Sequence, residues 1–201
     1  MISLVKLNTN IWFKIVQLLI VSTVSGYGVY CICNMFIDKL ITVVATLLIF
    51  VLLQMLDKLL KCDLSMGIKT ASIGMVFLTI FLGETLDFYI TIKFWDKIVH
   101  FLAGIIFYWY FIKIYKDVLK DSKIGVLPII YVLGLAVLWE VIEFISDTFF
   151  YTNMQSSKLI HQNGLKDTMQ DIIMSFTSSV LIHVFFSIKN NFVKKKQTLK
   201  M

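Results

Sequence analysis

Apolar runs separated by short clusters of charge divide the chain into six segments. They cover Ile11–Cys31, Leu40–Leu56, Ile73–Ile90, Phe94–Tyr115, Ile124–Ile145 and Met169–Ile188. Each lies near the roughly 20 residues that a helix needs to cross hydrocarbon. The pattern predicts an all-α, polytopic membrane bundle of about six transmembrane helices, forming one integral membrane domain over residues 1–201. The first run occupies the place of a signal peptide. However, Lys14 interrupts it and no small-x-small cleavage site follows, so it reads as a retained helix. Ser146–Lys166 is polar and is the one outer connection of notable size. No internal repeat, low-complexity linker or second domain is visible.

Composition sharpens this reading. The chain has 201 residues, 58% of them hydrophobic, and a single proline. Its mean hydropathy is +0.83. A soluble domain of this composition would expose large adhesive patches. The net charge of +6 comes wholly from lysine, because arginine is absent. Without arginine, bidentate readout of nucleic-acid bases is not expected, whereas contact with anionic membrane lipids is. The Ile- and Lys-rich usage points to an AT-rich bacterial genome and a multi-pass protein of the cytoplasmic (inner) membrane.

Lysine placement sets the expected orientation. With the N-terminus inside, the inner segments hold Lys6, Lys14, Lys58, Lys61, Lys69, Lys113, Lys116, Lys120, Lys123, Lys189, Lys194, Lys195, Lys196 and Lys200. The outer segments hold only Lys39, Lys93, Lys97, Lys158 and Lys166. Both termini are therefore expected in the cytoplasm.

That topology brings the acids to one level near the outer face. The third run ends with Glu84 and Asp87, and the fourth begins with Asp96 and His100. The fifth ends with Glu140, Glu143 and Asp147, and the sixth begins with Asp167 and Asp171. Spacings of three and four keep each pair on one helical face. Capping accounts for part of this, since Asp96 can cap its helix and Asp167 with Gln170 has capping-box spacing. Capping fails for Glu84, Asp87, Glu140 and Glu143, which sit at C-terminal helix ends where the dipole disfavours anions. An ionised acid facing mid-bilayer costs about 2.5–3.5 kcal/mol on an insertion scale. These acids must therefore face one another, water, protons or a cation.

His100 follows Asp96 by one turn. Carboxylates with one imidazole suit a divalent metal such as Mn, Zn, Fe or Mg. The expected ligand set is Glu84, Asp96, His100, Glu140, Glu143, Asp167 and Asp171, with Glu140 and Glu143 as candidate catalytic bases. Helical di-metal sites add Glu-x-x-His pairs, which are absent here, so that analogy is loose. His161 lies in the outer connection, where it could gate or bind, and His183 reads as a packing residue deep in the last span. Cys31, Cys33 and Cys62 lack metal-site spacing and read as apolar filler, with a Cys31–Cys33 redox pair as the alternative. Ser175, Thr177, Ser178 and Ser179 read as small helix-packing residues. Trp95, Trp109 and Trp139 read as interface or packing residues. No nucleophile elbow, P-loop or dinucleotide fingerprint occurs.

Three stretches, FWDKIVHFLAG, LWEVIEF and GLKDTMQDIIMSFTSS, together resemble the YjdF-like family of bacterial inner-membrane proteins. The resemblance runs from about Glu84 to Ser179. It rests on Glu84, Asp96, His100, Phe101, Gly104, Glu140, Glu143, Asp167, Thr168, Met169 and Asp171 in that order. It implies a membrane fold and brings no reaction with it. A fainter likeness, through D-K-x-x-H-F and the paired acids, reaches the VanZ-like proteins, which are linked to glycopeptide-antibiotic tolerance. Where such families often carry a further Asp or Asn and then Gly-Ala, this chain has Ser175 and Ser178-Ser179. That weakens any role needing an acid one turn below Asp171.

Three functional readings follow. One is a metalloenzyme acting on a lipid-like or envelope substrate. Another is an ion- or proton-coupled transporter, disfavoured by acids that lie off the midplane and by the lack of an inverted repeat. The third is a non-catalytic envelope or partner protein whose acids are structural.

Overall fold

The computed structural model describes residues 2–55, 58, 64–115, 125–150, 154–155 and 164–198. Cys62, Asp117, His161, Lys61, Lys116, Lys120, Lys123, Lys158, Lys200 and most of the Ser146–Lys166 connection lie outside the described residues. Every regular element among the described residues is helical. They are α1 (Ile2–Cys33), α2 (Ile37–Gln54), α3 (Met66–Val76), α4 (Phe88–Thr91), α5 (Trp95–Tyr115), α6 (Leu127–Phe150) and α7 (Gly164–Thr198). A π-helical segment, Phe77–Thr85, continues α3.

Among the described residues, six helical stretches are long and apolar enough to cross a membrane: Asn10–Cys33, Ile37–Gln54, Met66–Thr85, Trp95–Tyr115, Leu127–Phe150 and Gly164–Lys189. They correspond in order to the six apolar runs. The chain forms two compact units, 1–95 and 96–201.

In the first unit, α1, α2 and α3 with its π-helical extension close around Val24, Val43, Phe50, Ile73 and Phe81. Gln17 adds a polar contact, donating to Thr70 Oγ1 at 2.8 Å. The third span starts seven residues before its expected place because Ser65 caps it, accepting from Ile68 N at 3.3 Å. It also stops five residues early. Thr85 bonds back to Ile80 O at 3.1 Å, five residues away, in register with the widened π turn. Leu86 N bonds Phe81 O with the same offset. Asp87 then turns left-handed at φ 60, a conformation Asp tolerates better than most residues. Lys39 holds this corner, donating to Thr85 O at 2.6 Å and to the Asp87 carboxylate.

In the second unit, α6 begins with Pro128 in its first turn, where a missing N–H does no harm. Its buried positions are Pro128, Val132, Ala136, Glu140 and Glu143, at spacings of four, four, four and three. Its exposed positions include Leu138, Ile142, Phe144 and Phe149. The helix is therefore apolar outside and carries its acids inside, the arrangement expected when lipid is the solvent.

The α5–α7 seam is close. A Cβ built on Gly104 would stand 2.5 Å from Ser175 O and would also run into Ser178 Oγ. Ser175 Oγ donates to His100 O at 3.1 Å. Further along, Tyr108 Oη meets His183 Nδ1 at 3.0 Å, and Trp109 packs edge-on against Phe186 at 4.8 Å. Ser175, Ser178, Ser179 and His183 thus have packing roles, as the sequence indicates. Thr177 does not, because it lies on the exposed side of α7.

Candidate functional site

The second unit gathers a polar cluster from three helices. The first two turns of α5 supply Asp96, Lys97 and His100, α6 supplies Glu140 and Glu143, and the N-terminal part of α7 supplies Asp167 and Asp171. Both glutamates lie on the inward stripe of α6. On α7, Asp167, Asp171 and Ser175 repeat at intervals of four and share one face.

Lys97 organises the cluster. Its Nζ donates to Asp167 Oδ1 at 2.6 Å, to Asp171 Oδ1 and Oδ2 at 2.7 and 2.8 Å, and to Asp96 Oδ2 at 3.0 Å. The lysine side chain is 14% exposed, and Asp167 and Asp171 are 4% and 1% exposed. Removing one partner of such a buried pair costs about 3–5 kcal/mol, because the other charge is left without compensation. Lys97 is thus no loop charge, as its count among the outer lysines supposed. It lies inside the fourth span.

His100 is buried beside this knot. Its Nε2 lies 3.6 Å from Asp96 Oδ1 and 3.9 Å from Asp171 Oδ1. One ligand atom each from Asp96, His100 and Asp171 fall within 4.8 Å of one another. Two ligands about 2.1 Å from a common ion stand at most about 4.2 Å apart. The two histidine distances already fit, and a modest closure would complete the trio.

Glu140 is 4% exposed, and among the described residues neither of its carboxylate oxygens has a hydrogen-bond partner. It lies close enough to Asp96, Lys97, Asp167 and Thr168 for each to act on its charge. The Thr168 hydroxyl oxygen accepts from Gln155 Nε2 at 3.2 Å, which leaves its O–H to turn toward Glu140. Glu143 differs, because Trp139 Nε1 donates to its Oε1 at 2.7 Å. Trp139, expected at an interface or in packing, thus bonds a site carboxylate.

Six of the seven expected ligands therefore belong to this unit. Glu84 lies in the first unit, at the end of the π-helical segment, where it is exposed. Asp87 is taken up by Lys39. Asp147 holds the chain after α6, accepting from Met154 N at 2.7 Å and Gln155 N at 2.9 Å. Lys97 was missed as a site residue, although it stands inside the D-K-x-x-H stretch. The signal was a lysine in the first turn of an apolar span that faces acids on another span.

Six membrane-length helices with polar groups turned inward define a multi-pass membrane protein. Residues 11–191 match the family described as Predicted membrane protein (DUF2238), and the chain belongs to that family. A Thermotoga maritima protein described as an uncharacterized protein is 36% identical over 104 residues, covering 49% of this chain. The match spans 50% of that relative. No solved structure matches the chain.

Proposed function

We propose that the cluster is a divalent-cation centre serving a reaction on a lipid-like or envelope substrate at the outer face of a bacterial cytoplasmic membrane. The supporting observation is the Glu140 carboxylate, buried without a partner beside the Asp96–His100–Asp171 trio. Asp96, Asp167 and Asp171 bond Lys97, Glu140 lies near it, and Glu143 lies near Glu140, Asp96 and Asp167, so among the described residues the cluster has five carboxylates and one ammonium. Fully ionised, they would leave four negative charges uncompensated inside a membrane protein. A cation offsets that excess where another hydrogen bond would not.

In this reading Asp96, His100 and Asp171 would hold the metal, with Glu140 available to join and Asp167 kept by Lys97. One imidazole among oxygen donors suits Mn, Fe or Zn, and Mg with more water. Such an ion would supply the means to activate water, and Glu140, or Glu143 oriented by Trp139, would be placed to take the proton. The lysine distribution supports cytoplasmic termini, which puts the cluster toward the outer face. The residues shared with YjdF-like proteins agree with the assigned family, and the name is part of this proposal. The Lys97 knot favours a second reading, in which the acids and lysine are a non-catalytic network that joins three helices.

The test is thermal unfolding of the detergent-solubilised protein with Mn, Zn or Mg, together with the metal content of the purified protein. At a concentration 100 times its Kd, a ligand stabilises the folded state by about 2.7 kcal/mol. For a chain of this length that raises Tm by about 5–11 °C. Chelation should reverse the shift. Glu140→Gln and Asp171→Asn should each remove most of it, while Asp38→Asn on α2 should not. No bound metal and no shift with any of the three ions would leave the structural network as the reading.

A further inference from the structure

The most informative group in the cluster is the one that is not an acid. The Lys97 ammonium touches three carboxylates and spans both oxygens of Asp171, one of the three candidate metal ligands. It thus stands where a bound cation would compete for the same oxygens. Glu140 has no hydrogen-bond partner among the described residues, so the ammonium leaves this acceptor of the cluster unfilled. We infer that Lys97 is a tethered competitor that sets the ion selectivity of the site: it excludes monovalent cations and is displaced only by a divalent one.

This rests on the cation reading above and adds a role that reading does not require. The physical basis is charge and tethering. A side chain fixed one residue from Asp96 acts at a high effective concentration, of the order of mM or more for a short tether. Sodium or potassium offers the carboxylates the same single charge as the ammonium and has no tether. A divalent ion brings twice the charge and gains the imidazole of His100, which an ammonium cannot use as a metal does. Displacement keeps the charge in balance, because the ion takes Asp171 while Lys97 retains Asp167.

The size of the effect follows from occupancy. If the ammonium holds the carboxylates about nine-tenths of the time, the apparent divalent affinity is about tenfold weaker than that of the bare site. Lys97→Gln removes the competitor and keeps a polar side chain. Lys97→Arg keeps the charge and strengthens the hold, because a guanidinium grips carboxylates through a fixed fork.

Titrate the full-length protein and both variants with MnCl2 alone, then with NaCl exchanged for choline chloride at constant ionic strength, and read Tm. The wild type should respond to Mn and be insensitive to the Na–choline exchange. Lys97→Gln should bind Mn about tenfold or more tightly and should gain a saturable response to Na. Lys97→Arg should bind Mn more weakly than the wild type and remain insensitive to Na. If Lys97→Gln does not fold, Lys97→Arg decides, and unchanged Mn affinity in it overturns the inference. Equal Mn affinity in all three proteins overturns the tethered-competitor role while the cation site stands. Absence of any Mn response in all three overturns both.

Discussion

Gly104 sits in the close seam between α5 and α7, and Gly104→Ala tests whether that closeness supports the cluster. The added Cβ would lie 2.5 Å from Ser175 O and 3.1 Å from Ser175 Cα, and would also strike Ser178 Oγ. The hydroxyl can rotate, although it would lose its 3.0 Å bond to Ser175 O. The carbonyl is helix backbone and cannot rotate away. Restoring ordinary contact near 3.4 Å moves the two helices apart by about 0.9 Å. The Ser175–His100 bond, now 3.1 Å, would stretch toward 4 Å and be lost. Overpacking of this kind costs about 1–3 kcal/mol, and a lost hydrogen bond adds about 1 kcal/mol. The expected loss of about 2–4 kcal/mol lowers Tm by about 4–16 °C for a chain of this size. Gly134→Ala in α6 is the matched control. Nothing lies within 4 Å of its Cβ, so the gain in helix propensity, up to about 1 kcal/mol, should leave the protein as stable as before or more so. Thermal unfolding followed by Trp fluorescence in detergent reads both. A Gly104→Ala protein that melts with the wild type, or a Gly134→Ala protein that loses as much, would refute the tight α5–α7 seam.

Two further outcomes are expected. Lys39→Met should destabilise by about 0.5–1.5 kcal/mol, because it frees the Thr85 carbonyl and the half-exposed Asp87 carboxylate at the end of the third span; Lys93→Met, whose ammonium lies 5.5 Å from the Phe94 ring, should melt with the wild type, and equal melting of all three proteins would dismiss the Lys39 corner. Reporter fusions after Lys123 and Lys200 should read as cytoplasmic and one between Thr152 and Lys166 as extracytoplasmic; a cytoplasmic reading for the last would invert the proposed compartment of the cluster.

The helices were legible because hydrocarbon imposes a single demand, a long apolar run, and this chain meets it six times. Their ends were less legible, because hydropathy reports where lipid lies and not where hydrogen bonding stops. α1 begins at Ile2, well before its apolar run, since the backbone can continue as a helix outside hydrocarbon. The third span shows both cases. Its start is marked by Ser65, a cap visible in the sequence. Its end depends on a π turn and on Lys39, which reaches Asp87 from 48 residues away. No local pattern announces that contact. The small residues of α7 illustrate the same limit on a finer scale. Ser175, Ser178 and Ser179 share a face at spacings of three and four, while Thr177 falls between them and is exposed, a distinction periodicity alone could have drawn.

The site was half legible, and the missing half was its cation. Acids in apolar helices are conspicuous because each needs a reason to be there, and that need pointed to Glu140 and Glu143, as well as to Glu84 and Asp87, which lie in the first unit outside the cluster. Lysine attracts no such suspicion near a span end, where snorkelling is its usual behaviour. Lys97 does the opposite: it turns inward, to carboxylates 70 and 74 residues along the chain. Counting it as a loop charge entered a positive charge on the outer side and removed it from the cluster. Restored to the cluster, it changes the question posed by the acids. They are not a row of bare ligands awaiting an ion. Asp167 and Asp171 already hold an ammonium, and among the described residues Glu140 is the one left buried with no partner. In the cation reading, an ion that takes Asp171 must exchange with Lys97. For this reason the response of the Lys97 variants, more than that of any single acid, separates a cation site from a structural knot.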